Sequence, residues 1–504
     1  MKLTSYLKQA FRPSLADVIP ITIAGQILVM AQLLPGLLND GDTGWHIRTG
    51  DWILQNRAVP RADLFSFSRP GDPWFAWEWL SDVLMALVHQ HWGLGGVAAA
   101  GWLVILLTLV IVFRHMIWRG ANFVVALAVL QSVIGATSVH HLARPHLFTL
   151  LLITVSLWML DRDRRRPDRR IWLLLPLSVL WVNLHGGFFA LPATLAALAG
   201  GLAMEAWLAA EERKLNWSLA RRYGILGAGC LAASLINPYG FQLHVHVARY
   251  LTSDFIRNTI QEFLAPDFRS EGMLRFEMLL FVSLLLGGWM LSRRRAAEAC
   301  LLLLWGHMAL GSARHVPIFA LLAGPIVAAE LTLLFEQWAL RSGARSPLRI
   351  LSQMDADLGP SFRRSSAWGA LVVAAALFFF PESRWPRDFN DSRFPVALVR
   401  AEASRLLNAR VYTSDQWGDY LIYRGWPRQR VFFDGRSDFY GRALGEDYLK
   451  LMNGRRQWKE LFRKYGFDAA LVPADWPLVP LLEQDPEWRL VREDRVGVLY
   501  ERVQ

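Results

Sequence analysis

Long apolar runs with few charges recur along this chain from residue 16 to residue 381. A bilayer core about 30 Å thick takes about 20 such residues per helix. The runs predict about eleven transmembrane helices, at roughly 16–38, 95–117, 121–138, 147–161, 171–184, 188–208, 224–237, 276–291, 299–311, 316–336 and 367–381. Several are short, and the pair 171–184 and 188–208 is broken at Gly186-Gly187, which fits two spans or one re-entrant hairpin lining a cavity. Trp74 to Trp92 mixes apolar residues with Glu78, Asp82, His89 and His91 and is too polar for a span. It predicts an amphipathic helix in the outer interface with tryptophans at headgroup level. Segment 241–275 predicts an outer loop with helical turns.

After residue 381 the pattern changes. Residues 381–393 are rich in Pro, Asp and Arg and read as a linker, after which short β-type runs alternate with helical ones. A helix over 394–407 precedes strands at Arg410–Thr413 and Arg430–Arg436, then a helix over 444–465, a strand at Ala469–Pro473 and a hairpin from Arg489 to Arg502. That alternation predicts a small α/β domain over 394–504. The predicted fold class is therefore a polytopic α-helical membrane protein over 1–380, with a large first outer loop at 39–94 and a C-terminal extracytoplasmic α/β domain.

Composition supports this class. Of 504 residues 53% are hydrophobic and 19% charged, and mean hydropathy is +0.24, whereas a soluble chain carries about 25% charged residues. Disordered, collagenous and disulfide-rich classes are excluded, and Cys230 and Cys300 sit inside apolar runs as core residues. The net charge of +11 lies in clusters between apolar runs: Lys2, Lys8 and Arg12; Arg114 and Arg119; Arg162 to Arg170; Arg213 to Arg222; Arg293 to Arg295; Arg341 to Arg364. These fall at alternate loops, the positive-inside pattern of a multi-pass plasma (inner) membrane protein rather than a nucleic-acid patch. The N-terminus is then cytoplasmic and, with an odd number of spans, the C-terminal domain is outside. The first apolar stretch is long, with no small-residue cleavage site after it, and reads as a span, not a signal peptide.

The same orientation collects five polar segments on the outer side: Asn39 to His46 with Trp77-Glu78-Trp79, His140 to His146, Asn183 to Gly187, Asn237-Pro238-Tyr239-Gly240 running on to Glu262, and Arg314-His315-Val316-Pro317. Ionisable groups at membrane depth are costly and mark a site. A carboxylate above the first span, facing arginines and histidines from later helix ends, suits a lipid-borne anion. Moving a sugar off a lipid phosphate needs a base for the acceptor proton and cations for the departing phosphate; phosphate leaves as a stable anion, so one aspartate suffices. Against this, Asp42 beside Gly41 and Gly44 also fits a turn or helix cap, and Arg144 and Arg314 also fit interfacial snorkelling.

His140, His141, His146, His185, His244, His246 and His315 lack the i, i+4 spacing of a zinc helix and read mainly as hydrogen-bonding groups. Asp415 to Asp419 and Asp434-Gly435-Arg436 read as acceptor-binding loops at strand ends or as simple turns. There is no Walker loop, dinucleotide fingerprint or nucleophile elbow, which disfavours a soluble nucleotide-sugar donor.

Asp42-Thr43-Gly44-Trp45-His46-Ile47-Arg48-Thr49-Gly50, followed by Ile53-Leu54, Val59-Pro60, Asp63 to Ser66 and Trp74 to Trp79, resembles the first outer loop of GT-C fold glycosyltransferases. These polytopic enzymes use polyprenyl- or dolichyl-phosphate sugars, as in the protein mannosyltransferase and aminoarabinose transferase groups. The resemblance implies an acidic catalytic base in this loop, which Asp42 matches. Many relatives have an adjacent Asp-Glu pair where this chain has Asp40-Gly41-Asp42, so Asp40 stays an alternative base. Many members of the fold work without a metal, which leaves a divalent cation possible but not required.

The resulting expectation is an inverting glycosyltransferase that moves a sugar from a polyprenyl-phosphate lipid to an extracytoplasmic glycan, lipid or protein. Asp42 is the expected base; Arg48, Arg144 and Arg314 are expected phosphate ligands, and His46, Glu78 and His185 orienting groups. Asp40, His146, Tyr239, Glu262 and His315 complete the expected substrate site. The rival classes are a transporter or flippase of a lipid-linked or anionic substrate, which would need access from both faces, and a non-catalytic envelope scaffold.

Overall fold

A computed structural model describes residues 11–29, 33–208, 212–364, 366–381 and 384–503; Lys2 and Lys8, and part of the first apolar run and of the linker, lie outside the described residues. Helices occupy all eleven apolar segments: Val18–Val29 with Leu33–Gly36, Trp79–Arg119, Phe123–Thr137, His146–Arg165, Leu174–Leu184, Ala190–Leu208, Arg213–Ala233, Glu271–Ser292, Ala296–Gly311, Val316–Arg341 and Trp368–Phe378. Among the described residues five helical stretches are long and apolar enough to cross a membrane, as expected of a multi-pass membrane protein.

Local chemistry sets the turns. Gly120 ends the Trp79–Arg119 helix at φ 97°, where a side chain would be strained. Asn122 then caps the next helix by accepting from the Val124 N–H at 2.9 Å.

Three expectations about helices need correction. Residues 74–78 are not helical; the helix starts at Trp79 and, after a kink at Gly93 (φ 62°), continues to Arg119 as a span. Trp74 lies buried in the core instead of at headgroup level, because it packs under Phe65 and Arg436. The segment Arg213 to Arg222 is helical rather than a loop, and Arg222 forms an ion pair with the buried Asp163 at 2.9 Å.

In the C-terminal segment the strands β1 (Val411–Tyr412), β2 (Ala469–Pro473), β3 (Trp488–Glu493) and β4 (Gly497–Arg502) form a sheet in the order β1-β2-β4-β3. β1 and β2 are parallel and the remaining pairs antiparallel. The expected helix over 394–407 is two short helices, Val396–Ala401 and Ala403–Leu406, and that over 444–465 divides into Ser437–Met452 and Trp458–Tyr465. Asp415 to Asp419 is not a loop: it opens the helix Asp415–Gly425, capped by Ser414.

The first loop and this C-terminal segment are knitted together. Phe67 N–H donates to the Val431 carbonyl at 2.9 Å and Val431 N–H to the Phe65 carbonyl at 3.0 Å, while Val431 also bridges to Val411 of β1. The loop thus extends the sheet edge, satisfying groups that an open edge leaves unpaired. Beside it the buried Arg436 binds Asp63 at 2.8 Å and Asp434 at 2.6 Å, with its guanidinium over the Phe65 and Trp74 rings.

The helix Asp42–Asn56 packs on Asp415–Gly425 through two glycines. A Cβ on Gly41 would lie 2.3 Å from the Gln416 carbonyl, and one on Gly44 would lie 2.8 Å from that of Asp419. The glycines of Asp-Gly-Asp-Thr-Gly therefore serve a close helix approach.

The opposite end of the long helix carries a different cluster. Arg119 pairs with Asp161 and Glu298, Arg295 with Glu298 and Glu330, and His115 lies 2.8 Å from Asp161. Buried charges here are mutually paired, as a low-dielectric setting demands.

Candidate functional site

A cavity of about 260 Å³ opens where the first loop, the helix ends and the C-terminal segment meet. Asp42, Glu78, Arg144, His146, His185, Glu262, Arg314 and His315 line it, so these expected site residues are brought together. Asp42 starts the helix Asp42–Asn56; its N–H donates at 3.0 Å to Asp40, which so acts as a local cap. Arg144 reaches Asp42 at 2.6 Å, Asp40 at 2.8 Å and Glu262 at 2.9 Å. Expected as a phosphate ligand, Arg144 thus has both terminal nitrogens engaged by carboxylates of the chain itself.

Burial, opposed by Arg144 and reinforced by Asp40 and Glu262, pushes Asp42 up to about 7. Burial would raise Glu262 too, but Arg144, His140 and Arg314 outweigh it and hold that carboxyl well below its ordinary range. The second oxygen of Asp42, Oδ1, and Oδ2 of Asp419 are both buried with no donor from any other group, and the two carboxyls interact with each other. Burial and Asp42 push Asp419 well above the ordinary carboxyl range, and a hydrogen bond from Asp419 draws Asp42 down. Both crowd Gly435: a Cβ there would lie 1.9 Å from Asp42 Oδ1 and 2.9 Å from Asp419 Oδ2. Asp419 Oδ1 accepts from the Gly435 N–H at 2.9 Å, which holds the Gly435 turn against the helix Asp415–Gly425 within the C-terminal segment.

Glu78 forms a second carboxyl centre on the cavity wall. Gly187 N–H donates to His185 Nδ1 at 2.9 Å, so His185 carries its hydrogen on Nε2, which faces Glu78 Oε1 at 3.3 Å. On the other side His46 lies 2.6 Å from Asp82 through Nδ1 and 3.6 Å from Glu78 Oε2 through Nε2. Burial, partly offset by Arg144, pushes Glu78 up to about 8. Burial with the nearby Arg314 and Arg144 lowers His185 to about 3, so its imidazole is neutral. His46 sits behind Glu78 rather than on the cavity surface, and its hydrogen-bond partner is Asp82.

Arg314 is different from Arg144. It lies over the Phe263 ring at 4.3 Å, lines the cavity, and its Nη1 is buried with no hydrogen-bond partner. A guanidinium N–H so placed is short of an acceptor.

Two expected ligands lie elsewhere. Arg48 donates from Nε to the Tyr423 carbonyl at 2.8 Å and pairs with Asp51 at 3.0 Å; it caps the C-terminal end of helix Asp415–Gly425, where a cation is favoured. Tyr239 donates its hydroxyl to the Pro60 carbonyl at 2.9 Å and accepts from Ala76 N–H at 2.8 Å, fastening the first loop instead of facing substrate. Among the described residues no group of three metal-ligating side chains stands open to an ion; the three carboxylates Asp40, Asp42 and Glu262 are taken up by Arg144.

The sequence reads Asp415 to Asp419 and Asp434-Gly435-Arg436 as acceptor-binding loops or as turns without joining them to the Asp42 site, and it does not single out Asp438, although Gly435, Arg436 and Asp438 line the cavity. Their signal was the polar Asp434-Gly435-Arg436 run. Trp74, Trp77, Tyr250 and Trp305 add aromatic groups to the cavity wall, Trp74 with its ring already covered by the Arg436 guanidinium.

The chain is thus a helical bundle with a carboxylate-bearing loop over a polar cavity and a C-terminal α/β segment packed on that loop, a fold it has in common with known GT-C glycosyltransferases. Solved structures of the Archaeoglobus fulgidus oligosaccharyltransferase share it at 12% identity. Its apo form gives a TM-score of 0.55 over 91% of this chain and 69% of that one. The same enzyme, AglB, in complex with an inhibitory peptide and a dolichol-phosphate gives 0.53, and the form tethered to an acceptor peptide containing the NVT sequon gives 0.52; each covers 95% of this chain and 74% of that one. Comparison of the sequence with models of known families and with curated proteins gives no match.

Proposed function

We propose that the protein is an inverting membrane glycosyltransferase, moving a sugar from a polyprenyl-phosphate carrier to an acceptor outside the cytoplasm. The observation that carries this reading is the pairing, across one cavity, of a buried carboxylate, Asp42, with a guanidinium, Arg314, that lacks an acceptor. In the proposed step Asp42 takes the acceptor O–H proton and the freed oxygen attacks the anomeric carbon. The bond from that carbon to the phosphate oxygen breaks, and its electron pair leaves with the phosphate, which Arg314 binds. One in-line displacement inverts the anomeric centre. Glu78, facing His185 at 3.3 Å, orients the sugar or acceptor, and Asp40 holds the start of the Asp42 helix.

The dolichol-phosphate bound by the oligosaccharyltransferase of the same fold supports a lipid-linked donor. The alternating basic clusters of the sequence support an outward-facing site and a plasma-membrane location. A transporter reading is weaker, since at the far end of the bundle the Arg119–Asp161–Glu298 ion cluster leaves only a small pocket of about 20 Å³ and the larger polar cavity lies at the other end. The test is mass spectrometry of lipid co-purifying with the detergent-extracted full chain. Wild type is expected to carry polyprenyl phosphate or its sugar conjugate and Arg314→Ala to lose it; equal lipid on both would remove Arg314 as the phosphate ligand.

A further inference from the structure

Three carboxylates of this site, Asp40, Asp42 and Glu262, come from two distant parts of the chain and converge on one guanidinium at 2.6 to 2.9 Å. Such a set of oxygen donors is what a hard divalent cation seeks. Here the central position is held by a side chain, and the backbone fixes that side chain from both sides. Ala143 N–H donates to the Leu37 carbonyl at 2.8 Å, and the Ala143 carbonyl accepts from the Thr43 hydroxyl at 3.1 Å. The residue before Arg144 is therefore pinned to the two ends of the segment that bears Asp40 and Asp42. At the edge of the cluster Arg144 Nε remains buried without a partner, and Asp42 Oδ1 has no donor beyond the Asp419 carboxyl.

We propose that Arg144 is a built-in cation: its guanidinium takes the place a divalent metal ion would hold among Asp40, Asp42 and Glu262, so that the site works without one. A planar fork that is always charged can bind two carboxylates through its terminal nitrogens and still share one nitrogen with a third. It supplies one positive charge where a metal would supply two, so the cluster keeps more negative charge and the basicity of Asp42 is depressed less than a metal would depress it. The inference concerns the site of the proposed transferase, but its test reads cation binding and not transfer, so the two can fail separately.

The experiment titrates the purified full chain with Mn²⁺, following free ion by electron paramagnetic resonance. Wild type is expected to show no binding that depends on Asp42. Arg144→Ala opens the three-carboxylate nest and is expected to bind Mn²⁺ at least about tenfold more tightly, a change of about 1.4 kcal/mol. Adding Glu262→Gln to that variant should reverse the gain. If Arg144→Ala does not fold, Arg144→Gln, which keeps amide donors but no charge, replaces it. The proposal is overturned if wild type binds Mn²⁺ and Asp42→Asn abolishes that binding, or if the folded Arg144 variants bind no more tightly than wild type.

Discussion

Gly435→Ala probes the join between Asp42 and the C-terminal segment with a single added methyl group. The new Cβ would lie 1.9 Å from Asp42 Oδ1 and 3.0 Å from its Cγ, where ordinary contact begins at 3.4 Å. The carboxylate must therefore retreat by about 1.5 Å, or the Asp434–Arg436 segment must lift off the cavity. Misplacing a reacting group by about 1 Å can cost about 10²-fold in rate, so a loss of roughly 10² in turnover is expected. Overpacking in a buried contact costs about 1–3 kcal/mol, small enough for the protein to stay folded. Membranes carrying equal amounts of each variant would be assayed for consumption of lipid-linked sugar, with the unfolding temperature measured in parallel. Gly287→Ala, where the added methyl meets open space, is the control. Full activity in folded Gly435→Ala would refute the placement of Asp42 as a base held against Gly435.

Arg436→Met leaves Asp63 and Asp434 buried without their cation, and removing one partner of such a cluster costs about 3–5 kcal/mol; chemical denaturation reads it, and an unchanged midpoint would show that this ion cluster does not secure the two segments. Glu78 has its pKa raised to about 8 by burial, so its neutral form favours the fold. That contribution is full below the ordinary carboxyl range and is lost as pH rises through about 8. Unfolding temperatures of wild type between pH 5 and 9 should accordingly fall more steeply than those of Glu78→Gln, and parallel curves would contradict the assignment. Because Asp42 must be ionised to act as a base and is raised to about 7, the transfer rate should climb as pH passes about 7; a flat profile would point to another base.

The helical part of the fold was legible because a bilayer demands uninterrupted apolar runs, and each run became a helix. β1 to β4 were legible for a related reason, since β2 and most of β4 are buried. The expected strand at Arg430–Arg436, however, is irregular chain with only isolated bridges at Val431, because its polar Asp434-Gly435-Arg436 end turns into the cavity wall. What the sequence hid was contact between distant parts. Gly41 accommodates Gln416, which lies 375 residues away and whose side chain accepts from the Gly41 N–H at 2.7 Å. No local pattern reports that approach, so these glycines read as turn residues and Asp419 was not placed beside Asp42. Arg48 carried the right charge for a phosphate ligand, yet its partner is a helix-end carbonyl. Trp74 looked interfacial because tryptophan suits headgroups, but Arg436 and Phe65 offered it a buried place.

The central claim is tested most directly by mass spectrometry of lipid-linked sugars and surface glycans from cells lacking the protein, restored with wild type or with Asp42→Asn. Wild type is predicted to consume a polyprenyl-linked sugar and add mass to an acceptor, while folded Asp42→Asn does neither. Full restoration by Asp42→Asn would contradict the account.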